Sequence, residues 1–257
     1  MAKSAYKILP FFLLLLTQYF YGEDFESNGR FSLYKLGNDI YLKTHISGET
    51  QKLYFSENKK QNQSHVFLGK NHIFLWDNFN HSIYIYNFKN ELREKIDLPL
   101  SGNYNIFVNK SNDNILAENI FKRELMIYDE NFSPVQNISY YPKQKILSFF
   151  GKNNQILMIA KNSFLIFNTR DQEKQRFTFD FKDENIKRII ISDKYLILNF
   201  FSYMELYMVK QKQYLELLAR KSINKNIDFD LNDEKIYFFN EINNVISEKS
   251  IEELINE

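Results

Sequence analysis

The side chains that could carry out chemistry are few and scattered along the chain. The four histidines are His45, His65, His72 and His81, and three of them fall within one short stretch. The chain has no cysteine, which excludes disulfides, thiolate metal sites and a cysteine nucleophile. It also lacks a glycine-rich phosphate loop, a Gly-x-Ser-x-Gly elbow and a His-Glu-x-x-His helix. The sequence therefore predicts no catalytic, cofactor-binding or metal-binding residue and no bound cofactor.

One set of oxygen-bearing side chains leaves an alternative open. Asn105, Asn226 and Asp228 each lie at the start of a predicted strand. Three oxygen ligands of this kind suit Ca²⁺, so a metal-dependent, lactonase-like or lyase-like enzyme is the competing hypothesis. Asn and Asp are also common at strand boundaries because their side chains bond turn amides. The sequence favours that structural role.

The charge balance argues against nucleic acid as a partner. The chain carries 33 Lys and Arg residues against 32 Asp and Glu residues. Binding that is independent of base sequence depends on a basic excess that neutralises phosphates. We expect no interaction with nucleic acid.

Residues 1–22 have the pattern of a secretory signal segment. Lys3 and Lys7 precede an apolar core over 8–16, which is shorter than the roughly 20 residues that span a bilayer as a helix. Cleavage after Gly22 would leave an acidic start, although Phe20 stands where a small residue is preferred. The alternative is an uncleaved anchor, the one case in which we expect membrane contact. Either way, the rest of the chain is predicted to be exported, to the periplasm or the cell surface.

Short apolar segments recur along the chain at intervals of about 40 residues. They begin at Ile73, Ile115, Ile156, Leu196 and Ile236, and a second series follows each by roughly ten residues. Further strand-like segments precede and follow each pair. Four strands per 40 residues is the spacing of β-propeller blades.

The composition of the strands supports the same fold. Ile83–Tyr86 is apolar at every position, so both faces of this strand must be covered. Radially stacked blades provide that cover. We predict an all-β protein: a β-propeller of four-stranded blades over residues 23–249 and a short tail over 250–257. The tail is either frayed or a helix in which Ser250 and Glu253 form a capping box.

The stretch from Ile73 to Asn87 resembles an NHL-type propeller repeat. Asp77, Asn80, His81 and Asn87 match its strand ends and turn, and Asp129 and Asn168 keep the second strand's ending in later copies. Glu118 and Lys161 stand where the first Asp is expected, and the last copy keeps Asn240 and Asn243. The resemblance implies six blades and no particular activity. Five copies are clear, and we interpret Phe31–Phe55 as an incomplete sixth blade or a closing strand.

Apolar side chains recur in the turn between the second and third strands of successive repeats. These are Phe79, Phe121, Phe201 with Tyr203, and Ile242. In an NHL-like arrangement such turns cluster on one face, where exposed apolar groups mark protein contacts. The alternative is that Phe and Tyr are simply frequent here. We predict partner binding through Phe79, Phe121, Phe201 and Tyr203, in a non-catalytic scaffold that holds other proteins of a cell-envelope assembly.

Overall fold

The computed structural model describes residues 25–55, 64–139, 144–160, 163–178, 186–200, 202–210, 214–224, 226–232 and 234–256. The predicted signal segment, residues 1–22, lies outside these residues. No helix in the described part is both long and apolar enough to cross a membrane.

Six antiparallel sheets follow one another along the described chain. Blade 1 contains β1 (Phe25–Ser27), β2 (Phe31–Leu36), β3 (Asp39–Thr44) and β4 (Thr50–Leu53). Blade 2 contains β5 (Ser64–Leu68), β6 (Ile73–Asp77), β7 (Ser82–Tyr86) and β8 (Leu92–Asp97). Blade 3 contains β9 (Tyr104–Val108), β10 (Ile115–Asn119), β11 (Glu124–Tyr128) and β12 (Pro134–Ser139).

The second half of the chain continues the pattern. Blade 4 contains β13 (Lys145–Phe150), β14 (Gln155–Ala160), β15 (Ser163–Asn168) and β16 (Lys174–Thr178). Blade 5 contains β17 (Ile186–Ile191), β18 (Tyr195–Phe200), β19 (Tyr203–Lys210) and β20 (Tyr214–Ser222). Blade 6 contains β21 (Ile227–Leu231), β22 (Lys235–Asn240) and β23 (Val245–Ser250). The predicted β-propeller of about 40-residue blades is confirmed.

The first strand of each blade lies at the axis. Contacts run from β1 to β5, β9, β13, β17 and β21 in turn, and β21 contacts β1, so the blades form a closed ring. The incomplete blade is not where the sequence indicated. Residues 25–53 form four strands, of which β1 is the inner strand. Its three residues are too few to be recognised by their pattern. The three-stranded blade is the last one.

The strands that read as apolar on both faces are buried on both faces. Every residue of β6 and of β7 is buried, since blades 1 and 3 cover the two sides of blade 2. An apolar cluster fills each of the six interfaces between neighbouring blades. The interface between blades 6 and 1 has the smallest core, with Phe25, Tyr34, Tyr237 and Phe239 as its buried members among the described residues, whereas each other interface has at least nine.

A short helix, α1 (Ile251–Asn256), follows the last strand. The Glu253 carboxylate accepts a hydrogen bond from the Ser250 amide at 2.7 Å, and the Glu253 amide donates to Ser250 Oγ at 3.1 Å. This reciprocal pair is a capping box. Ile251 and Leu254 are buried in the cluster between blades 5 and 6.

Polar groups at the axis tie the last blade to the first. Asp230 is 1% exposed, and its Oδ2 accepts a hydrogen bond from the Ser27 amide at 2.6 Å. Lys110 of blade 3 reaches across the channel and forms an ion pair with the same oxygen. Its Nζ also lies 3.8 Å from Glu26 Oε2, and Glu26 accepts a hydrogen bond from the Leu68 amide at 2.7 Å. Four blades thus meet in one buried network.

Arg188 of blade 5 forms the second part of this closure. Its Nη1 donates to Asp228 Oδ1 and to the Phe229 carbonyl, both at 3.0 Å. Its Nη2 donates to the Phe25 carbonyl of blade 1 at 3.1 Å. One guanidinium of blade 5 therefore contacts both blade 6 and blade 1, which suits its planar array of donors. We call Glu26, Lys110, Arg188, Asp228 and Asp230 the axial cluster.

We predict that Asp230→Leu destabilises the protein by about 3 kcal/mol, since the substitution leaves Lys110 and the Ser27 amide without the buried carboxylate they bond. Lys110→Met combined with Asp230→Leu should cost less than the sum of the single changes. Urea unfolding of the four proteins measures this coupling. Lys235→Met with Glu248→Leu, which removes an exposed ion pair, is the control and should leave the midpoint nearly unchanged. Additive single effects at Lys110 and Asp230 would contradict the predicted coupling.

Candidate functional site

The turns between second and third strands, together with the connections between blades, lie on one face of the disc, which we call the upper face. In blade 2 this turn joins β6 to β7, and the main chain of the next connection is bonded to it, with the Leu98 amide donating to the His81 carbonyl at 2.8 Å. In blade 3 the Ile120 amide donates to the Asn103 carbonyl at 2.9 Å. The two turns and the connection over 98–103 are therefore adjacent along the surface.

The turn of blade 2 is fixed by Asp77. This side chain is 4% exposed, and its Oδ1 accepts hydrogen bonds from the amides of Phe79 at 3.0 Å and Asn80 at 3.2 Å. Its Oδ2 accepts a further bond from Asn80 Nδ2 at 2.6 Å. His81 completes the turn in the left-handed region, with a φ of 52°. The Phe79 side chain, 67% exposed, is thus held outward by a rigid turn.

The equivalent residue in blade 3 is Asn119. It ends β10 as Asp77 ends β6, and its Oδ1 accepts a hydrogen bond from the Lys122 amide at 3.1 Å. The assignment of Glu118 to this position was wrong by one residue. Glu118 points elsewhere and accepts a bond from Asn105 Nδ2 at 2.7 Å. Phe121, in the turn that Asn119 supports, is 73% exposed.

Four exposed apolar side chains share this part of the upper face: Phe79, Leu100, Ile120 and Phe121. We call them the upper-face patch. Leu100 is 78% exposed and lies on the connection that is hydrogen-bonded to both turns. Sequence reasoning missed Leu100 and Ile120, because it considered one apolar residue in each of the turns of blades 2 and 3 and no inter-blade connection.

The other residues predicted for this surface differ in their setting. Phe201 lies outside the described residues. Tyr203 is partly buried: its ring stacks on Phe200 at 4.4 Å between centroids, and the Arg220 guanidinium lies 4.9 Å from its centre. Ile242, in the turn of blade 6, is exposed, and Asn240 accepts a hydrogen bond from its amide.

Each residue considered as a calcium ligand forms a hydrogen bond within the protein. Asp228 is paired with Arg188, whose guanidinium lies where a cation would have to bind. The Asn105 amide group is bonded to Glu118, and the main-chain amide of Asn226 bonds Asn224. No group of three His, Asp or Glu side chains in the described residues could hold a metal ion. The one carboxylate of the proposed calcium set is thus already engaged by a cation of the protein.

The central channel holds a cavity of about 180 Å³ lined by inner-strand residues from all six blades. Its polar lining includes the axial-cluster residues Glu26, Lys110 and Asp230, together with Lys145. Burial lowers the pKa of Lys145, and the nearby Glu118 carboxylate opposes that shift. The charged groups of this cavity mainly bond one another and the main chain, as expected of a structural core.

The histidines occupy separate structural positions. His45 bonds Ser32 Oγ at 2.7 Å, and burial lowers its pKa. Burial, with Lys35 nearby, also lowers the pKa of His65. His72 Nδ1 lies 3.1 Å from Asp113 Oδ2. His45 and His72 lie in connections between strands, and His65 lies on the inner strand β5.

Comparison with solved structures shows the class of fold, the β-propeller. The chain resembles a streptogramin B lyase (12% identity, TM-score 0.53, covering 90% of this chain and 82% of that one). It also resembles virginiamycin B lyase from Staphylococcus aureus (10%, 0.51, 90% and 84%) and a chain of the mitotic checkpoint complex (8%, 0.57, 91% and 88%). No family model and no curated protein matches the sequence. These neighbours include an enzyme and a component of a complex, so the shared fold does not select a function.

We predict that Asp77→Ala destabilises the protein by about 1–3 kcal/mol, because the amides of Phe79 and Asn80 lose their acceptor. Asp77→Asn retains a carbonyl oxygen at this position and should cost less than half as much. Urea unfolding of the two variants measures the difference. Equal losses would show that the charge of Asp77, rather than its acceptor oxygen, supports the turn.

Proposed function

We propose that this protein is an exported, non-catalytic β-propeller that holds other proteins in an assembly of the cell envelope. The observation that carries the proposal is the upper-face patch. Phe79, Ile120 and Phe121 project from turns that buried Asx residues hold in place, and Leu100 projects from the connection bonded to both turns. Rigid exposed apolar groups lose little conformational entropy on binding, and aromatic anchors of this kind dominate protein interfaces.

Export to the periplasm or cell surface is the part of the proposal that rests on sequence. It is supported by the basic, then apolar, character of residues 1–22. We also propose that the repeat is of the NHL type. Asp77 ends β6 and Asn87 follows directly after β7, and each accepts main-chain hydrogen bonds from the turn that follows.

The axial cluster supports a scaffold rather than a channel-site enzyme. Its carboxylates contact cations and main-chain amides of the protein itself. Glu26, Lys110 and Asp230 line the channel cavity but are engaged in these contacts, whereas a channel-site enzyme would need a group that acts on substrate. The upper face is then the part of the disc that remains to make contacts with other proteins, and the closed ring positions its turns.

We predict that Phe79→Ser combined with Phe121→Ser reduces cross-linking of the protein to its envelope partners at least tenfold, because interface anchors are typically worth 2 kcal/mol or more. The midpoint of thermal unfolding should change little, since both rings are already exposed. Chemical cross-linking in intact cells, followed by quantitative blotting, measures the loss.

Ile46→Ser with Val135→Ser is the matched control, because both residues are exposed and lie outside the upper-face patch. This pair should retain partner capture. Undiminished capture by the Phe79 and Phe121 double variant would refute the proposed surface. A parallel loss of thermal stability would show that the two rings act in folding instead.

Calcium provides the test against the enzyme alternative. A site with a Kd of about 10 µM would stabilise the fold by about 2.7 kcal/mol in about 1 mM Ca²⁺. We predict no change in the unfolding midpoint on adding Ca²⁺, because Arg188 already bonds Asp228. A rise of several degrees that Asp228→Asn abolishes would favour the channel-site enzyme.

A further inference from the structure

Among the described residues, blade 6 has no counterpart of the outer, fourth strand that every other blade has. In blades 1 to 4, the second residue of the third strand pairs with an apolar residue of the fourth strand thirteen positions later. The pairs are Ile40 with Leu53, Ile83 with Ile96, Leu125 with Ile138, and Phe164 with Phe177. Blade 5 pairs Leu206 with Ala219 at the same spacing. In each blade this pair belongs to the apolar cluster facing the next blade.

Ile246 is the residue of blade 6 at this position. It is the second residue of β23, and it packs on the cluster between blades 6 and 1. Its counterparts Ile83, Leu125 and Phe164 are at most 1% exposed, whereas Ile246, like Ile40 of blade 1, is only partly buried. The chain turns into α1 at Ile251, so α1 replaces the fourth strand that would have continued the pattern. A fourth strand would add one apolar residue to the small core of this interface.

The backbone of β23 is oriented to accept a strand. The Ile251 amide donates to the Glu234 carbonyl at 3.0 Å. Because amides alternate in direction along a strand, those of residues 245, 247 and 249 point towards β22. The amides and carbonyls of Ile246 and Glu248 therefore point outward, and no strand of the described chain lies beyond them. At the end of the edge, Glu253 bonds the Ser250 amide, which limits the open length.

We propose that β23 binds an extended segment of a partner protein as the fourth strand of blade 6, with an apolar side chain of that segment placed opposite Ile246. The segment would pair antiparallel with β23 through the outward groups of Ile246 and Glu248. Its apolar residue would complete the cluster that contains Tyr34 and Phe239, as Ile96 and Phe177 complete theirs. This mode of recognition uses main-chain bonds for affinity and one pocket for specificity. The proposal extends the scaffold function to a second surface.

A peptide copied from the chain's own blade 2 tests this recognition directly. The probe is a dye-labelled peptide of residues 92–98, Leu-Arg-Glu-Lys-Ile-Asp-Leu, and its control carries Ile96→Ser. Fluorescence anisotropy with the full-length chain should show at least tenfold weaker binding of the control. Failure of the parent peptide to bind, or equal binding of both peptides, would overturn the proposal.

Two variants at one residue separate edge pairing from other effects. Glu248→Pro removes an outward amide without removing a bond to β22 and should weaken peptide binding at least tenfold. Glu248→Ala also removes the ion pair with Lys235 but keeps the amide, and should stay within twofold. Unchanged binding to Glu248→Pro would contradict strand pairing. The Phe79 and Phe121 double variant should bind the peptide normally, so the two surfaces can fail independently.

The occupant in the cell is identified by a photo-cross-linker at Ser247, an exposed residue of β23, with the same group at Val135 of blade 3 as control. We expect an adduct with an extended, apolar segment of another protein, at least tenfold weaker in Glu248→Pro. An adduct within residues 1–24 of the same chain would show that the chain fills its own edge. An adduct with a second copy would show self-association. Either result, or no Ser247-specific adduct, would overturn the proposal.

Discussion

The structure depends on the junction at which the last blade meets the first. The two blades share no sheet, and their interface has the smallest apolar core of the described ring. The axial cluster compensates at the inner edge. Buried ion pairs are weak evidence for net stability, because desolvation offsets their attraction. They do impose a strict geometric requirement, since Arg188 and Asp230 are satisfied only when blades 1 and 6 are in place.

Ring closure connects the core to the upper face. Each blade is held between two neighbours, so a turn can move only if its blade shifts against both. Asp77 and Asn119 then fix the turns themselves through main-chain hydrogen bonds. Exposed apolar side chains on such a support are pre-organised for binding. The physical order runs from the axis outward: closure holds the blades, the blades hold the turns, and the turns present the patch.

Much of the fold could be predicted from sequence, because repetition amplifies local signals. The apolar segments predicted to begin at Ile73 and Ile115 are the strands β6 and β10, which begin at those residues. The three-residue strand β1 was missed because it is too short to show a period. Lys110 and Arg188 were missed for another reason: their partners lie 120 and 163 residues away in the chain, and no local pattern reports such contacts. Glu118 was assigned one residue away from the last position of the second strand, which Asn119 occupies, because turn length rather than residue type sets where that strand ends.

Native-state hydrogen exchange at the junction tests ring closure most directly. The Ser27 amide of blade 1 donates a hydrogen bond to Asp230 of blade 6, and its exchange rate therefore reports on the contact between these two blades. If the axial cluster closes the ring, this amide should be protected to the same extent as amides of the inner strand β9 on the opposite side. It should lose that protection in Asp230→Leu, while β9 keeps its own. Rapid exchange of Ser27 in the wild-type protein, alongside slow exchange in β9, would show that the ring opens between blades 6 and 1 and would contradict the account.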